Sequence, residues 1–416
     1  MTAQTNPTVQ NNAVLSEERA EARAQLWKDN LRDYGLLGSL LLIVLFFYVI
    51  TQDHASVAPV NVTNLVAQNS YVVIMALGML LVIVSGNIDL SVGSIVGFIG
   101  AIAGVAIVYW KLPYPIVIFG CIACGAGIGA AQGVLIAYAR MPAFIVTLGG
   151  MLIFRGLTGN MLLGQFVGPF PQGFQYFANG FIGDFSDIPA IHNLLPESLQ
   201  IKWLSLIIGV IGALAMFVAA IRRWRRAKAE AMDAEPLALL LLKNLVFAVI
   251  IVGISWDLAL YKGLPVILVI IAVLVMFYAF VTTRTVIGRR IYALGGNIMA
   301  ARLSGVKTER LTFLTFVNMG LLAGVAGLVV AARLNSSTPS AGNSFELDVI
   351  AACFIGGVSA SGGVGKVMNV VIGALFMGVM NNGMSLIGLG IFWQQVVKGL
   401  VLLAAVFVDV YQKNKG

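Results

Sequence analysis

From residue 35 to residue 409 the chain is a succession of apolar blocks with few charges, most of them near the ~20 residues that a helix needs to cross the hydrocarbon core of a bilayer. Twelve such spans are predicted, over 35–51, 66–85, 91–110, 115–139, 143–163, 201–221, 238–258, 264–283, 311–332, 345–362, 367–388 and 390–409. Hydrophobic residues make up 59% of the 416 residues and charged ones 11%, more apolar surface than a soluble interior can hide. The fold class this dictates is all-α, a polytopic transmembrane helical bundle. Residues 35–410 form its membrane domain, with 1–34 as an N-terminal tail and 411–416 as a C-terminal tail.

The net charge of +8 would suit nucleic acid in number but not in placement. The cations stand at span ends, where Lys and Arg set orientation because they are retained on the cytoplasmic side. With the N-terminus inside, 20 of the 26 Lys and Arg fall on the inner side and four on the outer. Both termini are therefore expected in the cytoplasm, and no nucleic-acid partner is expected. The first apolar run, Leu36 to Ile50, follows a polar stretch that includes Glu17, Glu18 and Glu21; that reads as a retained span, not a secretory signal. Ahead of it, Ser16 can cap a helix running to Asp33. Ala20, Ala24, Trp27 and Leu31 share one face of it, suited to lie along the inner membrane surface. The outer loop 164–200 carries Asp184, Asp187, Glu197 and four prolines, and is expected to hold a short surface helix.

Two breaks interrupt the apolar pattern. Ser85-Gly-Asn-Ile-Asp-Leu-Ser-Val-Gly-Ser94 reads as an interrupted or re-entrant helix, a backbone that survives at membrane depth only when buried in protein or lining water. Asn87 or Asp89 can cap the helix that begins near Leu90; the other reading makes Asp89 part of a translocation path. Ile355-Gly-Gly-Val-Ser-Ala-Ser-Gly-Gly-Val-Gly-Lys366 has a similar texture in the second half, which hints at a weak internal repeat. Among charged residues in or beside spans, Arg155 and Lys398 are expected well inside the membrane, and Asp257, Glu346 and Asp348 at its outer edge. Gly125, Gly129 and Gly133 form a small-residue stripe for close helix packing, a device repeated by Gly93/Gly97 and Gly100/Gly104. Cys121, Cys124 and Cys353 lie in apolar runs and read as packing residues. His54 and His192 are in distant loops, so no metal set forms.

The loop 284–310 holds six Lys and Arg, more than any other between spans. Its middle can form a short helix: Asn297 is a good N-cap, Ala300-Ala301-Arg302-Leu303 are helix formers, and Gly305 can supply a left-handed stop. A short capped helix in a basic cytoplasmic loop can dock a soluble partner; a solvated loop that only fixes orientation is the plain alternative. The basic run Arg222–Lys228 has anchoring to anionic lipid as its plain reading. Nucleotide motifs fail on inspection. Ala360 and Val367 stand where a phosphate loop ending at Gly365-Lys366 needs Gly and then Ser or Thr, and Gly125-Ala-Gly127-Ile-Gly-Ala130 has no strand before it. No nucleophile–base pair appears, so membrane-embedded catalysis is not expected.

Several long motifs occur in order: Gly86–Ser94, Pro142-Ala-Phe-Ile-Val-Thr-Leu-Gly-Gly-Met151 with Arg155-Gly156, Gly288–Asn297 with Ala300-Ala-Arg-Leu-Ser-Gly305, Pro339–Ala352, and Asn381-Asn-Gly-Met384. Together they resemble the ribose/xylose-type permeases of ATP-binding-cassette importers, and within them the D-xylose and multiple-monosaccharide permeases. The match runs from about residue 60 to the C-terminus. The resemblance implies a ten-span core to which residues 201–260 add an extra helix pair.

It also implies the assembly: a second permease copy in a homodimer, a cytoplasmic ATPase, an extracytoplasmic sugar-binding protein, and a bacterial inner membrane around it. This chain would bind no cofactor, ATP-Mg being held by the partner ATPase. Met299-Ala-Ala-Arg-Leu-Ser-Gly305 follows the Glu-Ala-Ala-x-x-x-Gly pattern of importer coupling loops, with Met299 in place of Glu. The docking residues so implied are Asn297, Ala300, Ala301, Arg302, Leu303, Ser304 and Gly305. Asn87, Asp89, Ser91, Phe144 and Thr147 are candidates for the translocation path. The expected function is import of a neutral monosaccharide, D-xylose or a related sugar, by ATP-driven alternating access. The rivals are the same assembly carrying branched-chain amino acids or nucleosides, and a self-sufficient ion-coupled carrier.

Overall fold

The computed structural model describes residues 35–188, 201–229 and 237–414. The chain divides into two compact units, one of Ser39–Ile182 with Leu264–Gly416, the other of Gly183–Gly263 with the chain up to Gly38. Helix α1 covers Gly35–Ile50. Helices α2 (Pro59–Gln68) and α3 (Ser70–Val84) form one 26-residue apolar rod that bends at Asn69. The rod is followed by α4 (Val92–Gly104), which ends in a wide turn over Val105–Tyr109. Then come α5 (Tyr114–Ala137), α6 (Ala143–Leu162) and the short α7 (Gln172–Asn179). The smaller unit contributes α8 (Trp203–Ala229) and α9 (Leu237–Leu260). Returning to the larger unit, the chain forms α10 (Val266–Arg284), α11 (Val286–Gly296), α12 (Ile298–Leu303) and α13 (Thr308–Leu334). It closes with α14 (Phe345–Ile355), α15 (Val367–Leu386) and α16 (Ile391–Asn414).

Ten segments are long and apolar enough to cross a membrane: the α2–α3 rod, α4 with its wide turn, α5, α6, α8, α9, α10, α13, α15 and α16. The described residues contain no strand, only isolated bridges between Val167 and Ser337 and between Phe181 and Pro265. The two remaining predicted spans fall short. Helix α1 stops at Ile50, and α14 has 11 residues, about 16 Å of rise against a core of roughly 30 Å. The predicted 345–362 is cut because Gly356 and Gly357 follow Ile355, and the second of them takes a left-handed backbone. The helix expected over 16–33 lies outside the described residues, as do His192 and Glu197 of the outer loop.

Helix α3 is the axis of the larger unit. Every one of its residues except Tyr71 is buried, and α10, α13, α14 and α15 pack around it. An all-apolar helix has no face to give to water, so it takes the centre. Helix α7 is the short surface helix expected of the 164–200 loop: Phe174 and Ala178 are buried where it packs on α10 and α13, while Gln172, Tyr176 and Asn179 stay exposed. Helices α8 and α9 form an antiparallel hairpin. Gly209 leaves room for Ser255, and Lys202 N–H reaches Ala259 O at 3.0 Å. The basic run Arg222–Lys228 forms the last turns of α8 rather than a loop.

The glycine stripes have two kinds of partner. On α5 the expected close packing is present: a Cβ on Gly125 would sit 3.0 Å from the Gly324 Cα, and one on Gly129 would strike the Phe316 carbonyl and the Gly320 backbone, both on α13. On α4 only Gly100 keeps a helix as partner, with Gly327 and Ala331 of α13 beside it; the rest of the stripe meets something else. After α13 the chain turns at Asn335 and runs as a non-helical segment along α4. Ser337 Oγ donates to Gly100 O, and a Cβ on Gly104 would meet that same hydroxyl. A Cβ on Gly97 would meet the Ala341 carbonyl, and one on Gly93 the Gly342 carbonyl. The pattern read as helix-on-helix packing holds at Gly100, and at Gly93, Gly97 and Gly104 it is a groove that admits the non-helical segment.

Candidate functional site

That segment delivers the start of α14 to the first helix break. In the break, Gly86 N–H and Asn87 N–H turn back to Ile83 O and Val82 O. Asn87 Nδ2 donates to Ser85 Oγ at 3.2 Å. Asp89 Oδ1 accepts from Ser91 N–H at 2.8 Å and from Ser91 Oγ at 2.6 Å. Helix α4 therefore begins at Val92, two residues later than expected, and Asp89 organises the turn before it instead of capping it. Gln132 Nε2 of α5 donates to Ser91 Oγ at 2.9 Å. Asp89 and Ser91 are both buried.

Glu346 and Asp348, in the first turn of α14, are buried among the helices of the bundle. Each meets a cation from another helix. Arg155 of α6 approaches Glu346 Oε1 at 3.7 Å, an ion pair too long for a hydrogen bond. Glu346 Oε2 is left without a hydrogen-bond partner, beside Gly93. Asp348 is served more fully. Its Oδ2 accepts from Lys398 Nζ of α16 at 3.0 Å, from Asn381 Nδ2 of α15 at 3.1 Å and from the Tyr71 hydroxyl of α3 at 3.3 Å. Oδ1 lies 2.9 Å from the same ammonium. Phe345 stacks on the Tyr71 ring with centroids 3.9 Å apart. The helix N-terminus adds a favourable field for both carboxylates.

Of the path candidates, the structure brings Asn87, Asp89 and Ser91 into this polar centre. Thr147 is buried, with its hydroxyl on Ala143 O at 2.9 Å. One turn on, Gly150 abuts Gln132 and Ser91, where any side chain would crowd them. Phe144 is exposed on α6 and takes no part. Sequence reasoning missed Gln132, Tyr71 and Asn381, and did not pair Glu346 and Asp348 with their cations. The usable signal was Arg155 and Lys398: a cation within an apolar span needs a buried anion, and the chain has few to offer.

The other candidate element is the polar loop 284–310. Thr285 Oγ1 caps α11 by accepting from Gly288 N–H at 3.1 Å. Ile291 and Leu294 bury one side of that helix. Asn297 Oδ1 accepts from Ala300 N–H at 3.0 Å and starts α12; Gly305, at φ +80°, ends the loop that leaves it. Ala301 is buried under α12, Ser304 Oγ returns to Ala300 O at 2.9 Å, and Arg302 pairs with Glu309 at 2.9 Å on the first turn of α13. Arg302 thus fixes α12 to α13. The side chains that project are Ile298, Met299 and Leu303, the last 90% exposed.

The end of α11 touches both helix breaks, at Gly295 through backbone alone. Gly363 N–H of the second break donates to Val84 O, where the first begins, at 2.9 Å. A Cβ on Gly295 would collide with that carbonyl and lie 2.7 Å from Gly363 N. The Tyr292 hydroxyl donates to Gly365 O at 2.7 Å, and burial pushes the phenol up to about 12, so it keeps its proton at neutral pH. On the other flank of the second break, Asp409 Oδ2 of α16 accepts from Ala360 N–H at 3.2 Å. The two stretches of similar texture are therefore spatial neighbours.

Ten apolar crossing segments and a charged centre buried among them define a multi-pass membrane protein of the transport kind. Residues 61–406 match the family described as branched-chain amino acid transport system / permease component, and the chain belongs to that family. It is 38% identical over 386 residues to the xylose transport system permease protein of Haemophilus influenzae, covering 93% of this chain and 98% of the relative. It is likewise 38% identical over 389 residues to the protein of that name in Escherichia coli, 93% of each. The ribose import permease protein of Escherichia coli is 32% identical over 395 residues, 95% of this chain and 99% of the relative. No solved structure matches the chain. The family that the motifs resembled is the family found, and in it this chain is a permease component, the membrane subunit and not an enzyme.

Proposed function

We propose that the chain imports a neutral monosaccharide, D-xylose or a related sugar, across the bacterial inner membrane as one of two permease copies driven by a separate ATPase. The observation that carries the reading is α12: a capped helix with apolar Met299 and Leu303 projecting from a basic loop, rooted on the two helix breaks. Such a knob offers a soluble partner an apolar contact ringed by charge. The choice of sugar follows the relatives, which are xylose transport permeases. An extracytoplasmic binding protein hands over the sugar, and ATP-Mg acts on the ATPase alone. Helix α1, and the run formed by 335–344, α14 and the turn 356–366, complete twelve crossings with the ten long segments. An even number leaves both termini on one side of the membrane, and the cation count makes that side the cytoplasm.

In the cycle, closure of the ATPase pair moves α12, and the helices around the Asp89–Glu346–Asp348 centre exchange outward and inward openings. Asn87, Asp89 and Ser91 line the passage for sugar hydroxyls. A second reading, import of branched-chain amino acids by the same assembly, is favoured by the description of the family. Proteoliposomes decide between them. The complete assembly should take up D-xylose with ATP inside and exclude leucine. The lone chain should take up neither in a proton or sodium gradient. Leucine uptake establishes the second reading, and uptake by the lone chain overturns both.

A further inference from the structure

We infer that the contact of Gly295 with Val84 and Gly363 is the joint that carries displacement of α12 to both helix breaks, with Tyr292 as the positioning residue that holds the second break on it. This rests on the docking reading of α12 given above. Only Gly296 and Asn297 separate Gly295 from α12, a link too short for α12 to move without the end of α11. At the joint, backbone meets backbone, with no side chain between to change rotamer and absorb the motion. Val84 ends α3 and leads through the first break to Asp89; Gly363 belongs to the turn that leads back to α14, which carries Glu346 and Asp348. One displacement thus reaches both sides of the charged centre. The Tyr292–Gly365 hydrogen bond keeps the second break from lagging.

The neighbouring glycine provides an internal contrast. A Cβ on Gly295 has to move Val84 or Gly363, whereas a Cβ on Gly296 has nothing within 4 Å. The test uses the complete assembly in proteoliposomes and reads ATPase retention, ATP hydrolysis and D-xylose uptake separately. Gly295→Ala should keep the ATPase bound and hydrolysing while uptake per ATP falls about tenfold or more. Gly296→Ala should stay within about twofold of the parent. Tyr292→Phe should lower uptake per ATP with hydrolysis intact, and it decides the matter if Gly295→Ala fails to insert. Equal transport by Gly295→Ala and the parent, or a parallel fall of hydrolysis and uptake in Tyr292→Phe, overturns the joint. Leu303→Asp separates the premise: if it loses the ATPase while Gly295→Ala transports normally, only the joint is wrong; if it retains and couples the ATPase, docking at α12 is wrong.

Discussion

Replacing Lys398 by Met should destabilise the bundle, and replacing Asp348 by Asn in the same chain should restore it. The Asp348 side chain is 0% exposed and that of Lys398 15%. Methionine nearly fills the lysine volume but removes the ammonium that faces both carboxylate oxygens. Asp348 then keeps Asn381 and Tyr71 on Oδ2 and nothing on Oδ1. Stranding one member of a buried pair costs about 3–5 kcal/mol, whereas removing both charges is close to neutral. Unfolding entropy scaled to a chain of this size turns each kcal/mol into about 1 °C, so the single variant should melt about 3–5 °C lower. Arg155→Met is the comparison. Arg155 stands 3.7 Å from Glu346 without a hydrogen bond, a looser pairing than that of Lys398, so its loss should lower the melting temperature less. Thermal unfolding in detergent, followed by tryptophan fluorescence, reads all four proteins. If Lys398→Met melts with the parent, or the double variant melts below the single, Asp348 does not depend on the lysine and the reasoning fails.

Two further outcomes follow from the packing and the caps. Gly129→Leu should lose at least about 3 kcal/mol by forcing α5 off α13, while Gly127→Leu, whose added Cβ meets nothing within 4 Å, should insert and fold normally; monodispersity on a sizing column distinguishes them. Asn297→Ala should cost about 1 kcal/mol of cap, raising amide exchange over Ala300–Arg302 about fivefold with no change in α11; unchanged exchange would show that the side-chain cap contributes nothing.

Local chemistry was the legible part of this sequence. Asn297 and Gly305 announced α12 because a cap and a left-handed stop act over a few residues, and neither needs tertiary support. Gly125 and Gly129 announced a close approach because spacing by four puts both on one face of the helix. Apolar length gave the ten long segments for the same reason. What failed depended on contacts distant in the chain. The run 345–362 looked like a span because apolarity does not report that Gly356 ends the helix and that 335–344 has already descended beside α4. The stripe on α4 looked like the one on α5, since a missing side chain makes equal room for a helix or for bare backbone. Glu346 and Asp348 went unpaired because their partners, Arg155 and Lys398, lie on other helices, α6 and α16. The role of Arg302 was hidden likewise: only the fold shows Glu309 beside it.

The backbone segment lying along α4 sets an order on biosynthesis. Gly93, Gly97 and Gly104 emerge from the ribosome well before residues 337–346 that cover them, and at 5–20 residues per second the delay is on the order of 10–50 s. For that interval the nascent α4 has a notched, polar start and no permanent neighbour on that side. Lipid cannot satisfy it, so the insertion machinery or a chaperone must hold it until the second half arrives. Truncations ending between α13 and α14 should therefore be cleared by quality-control proteases even though most of their membrane segments are already made.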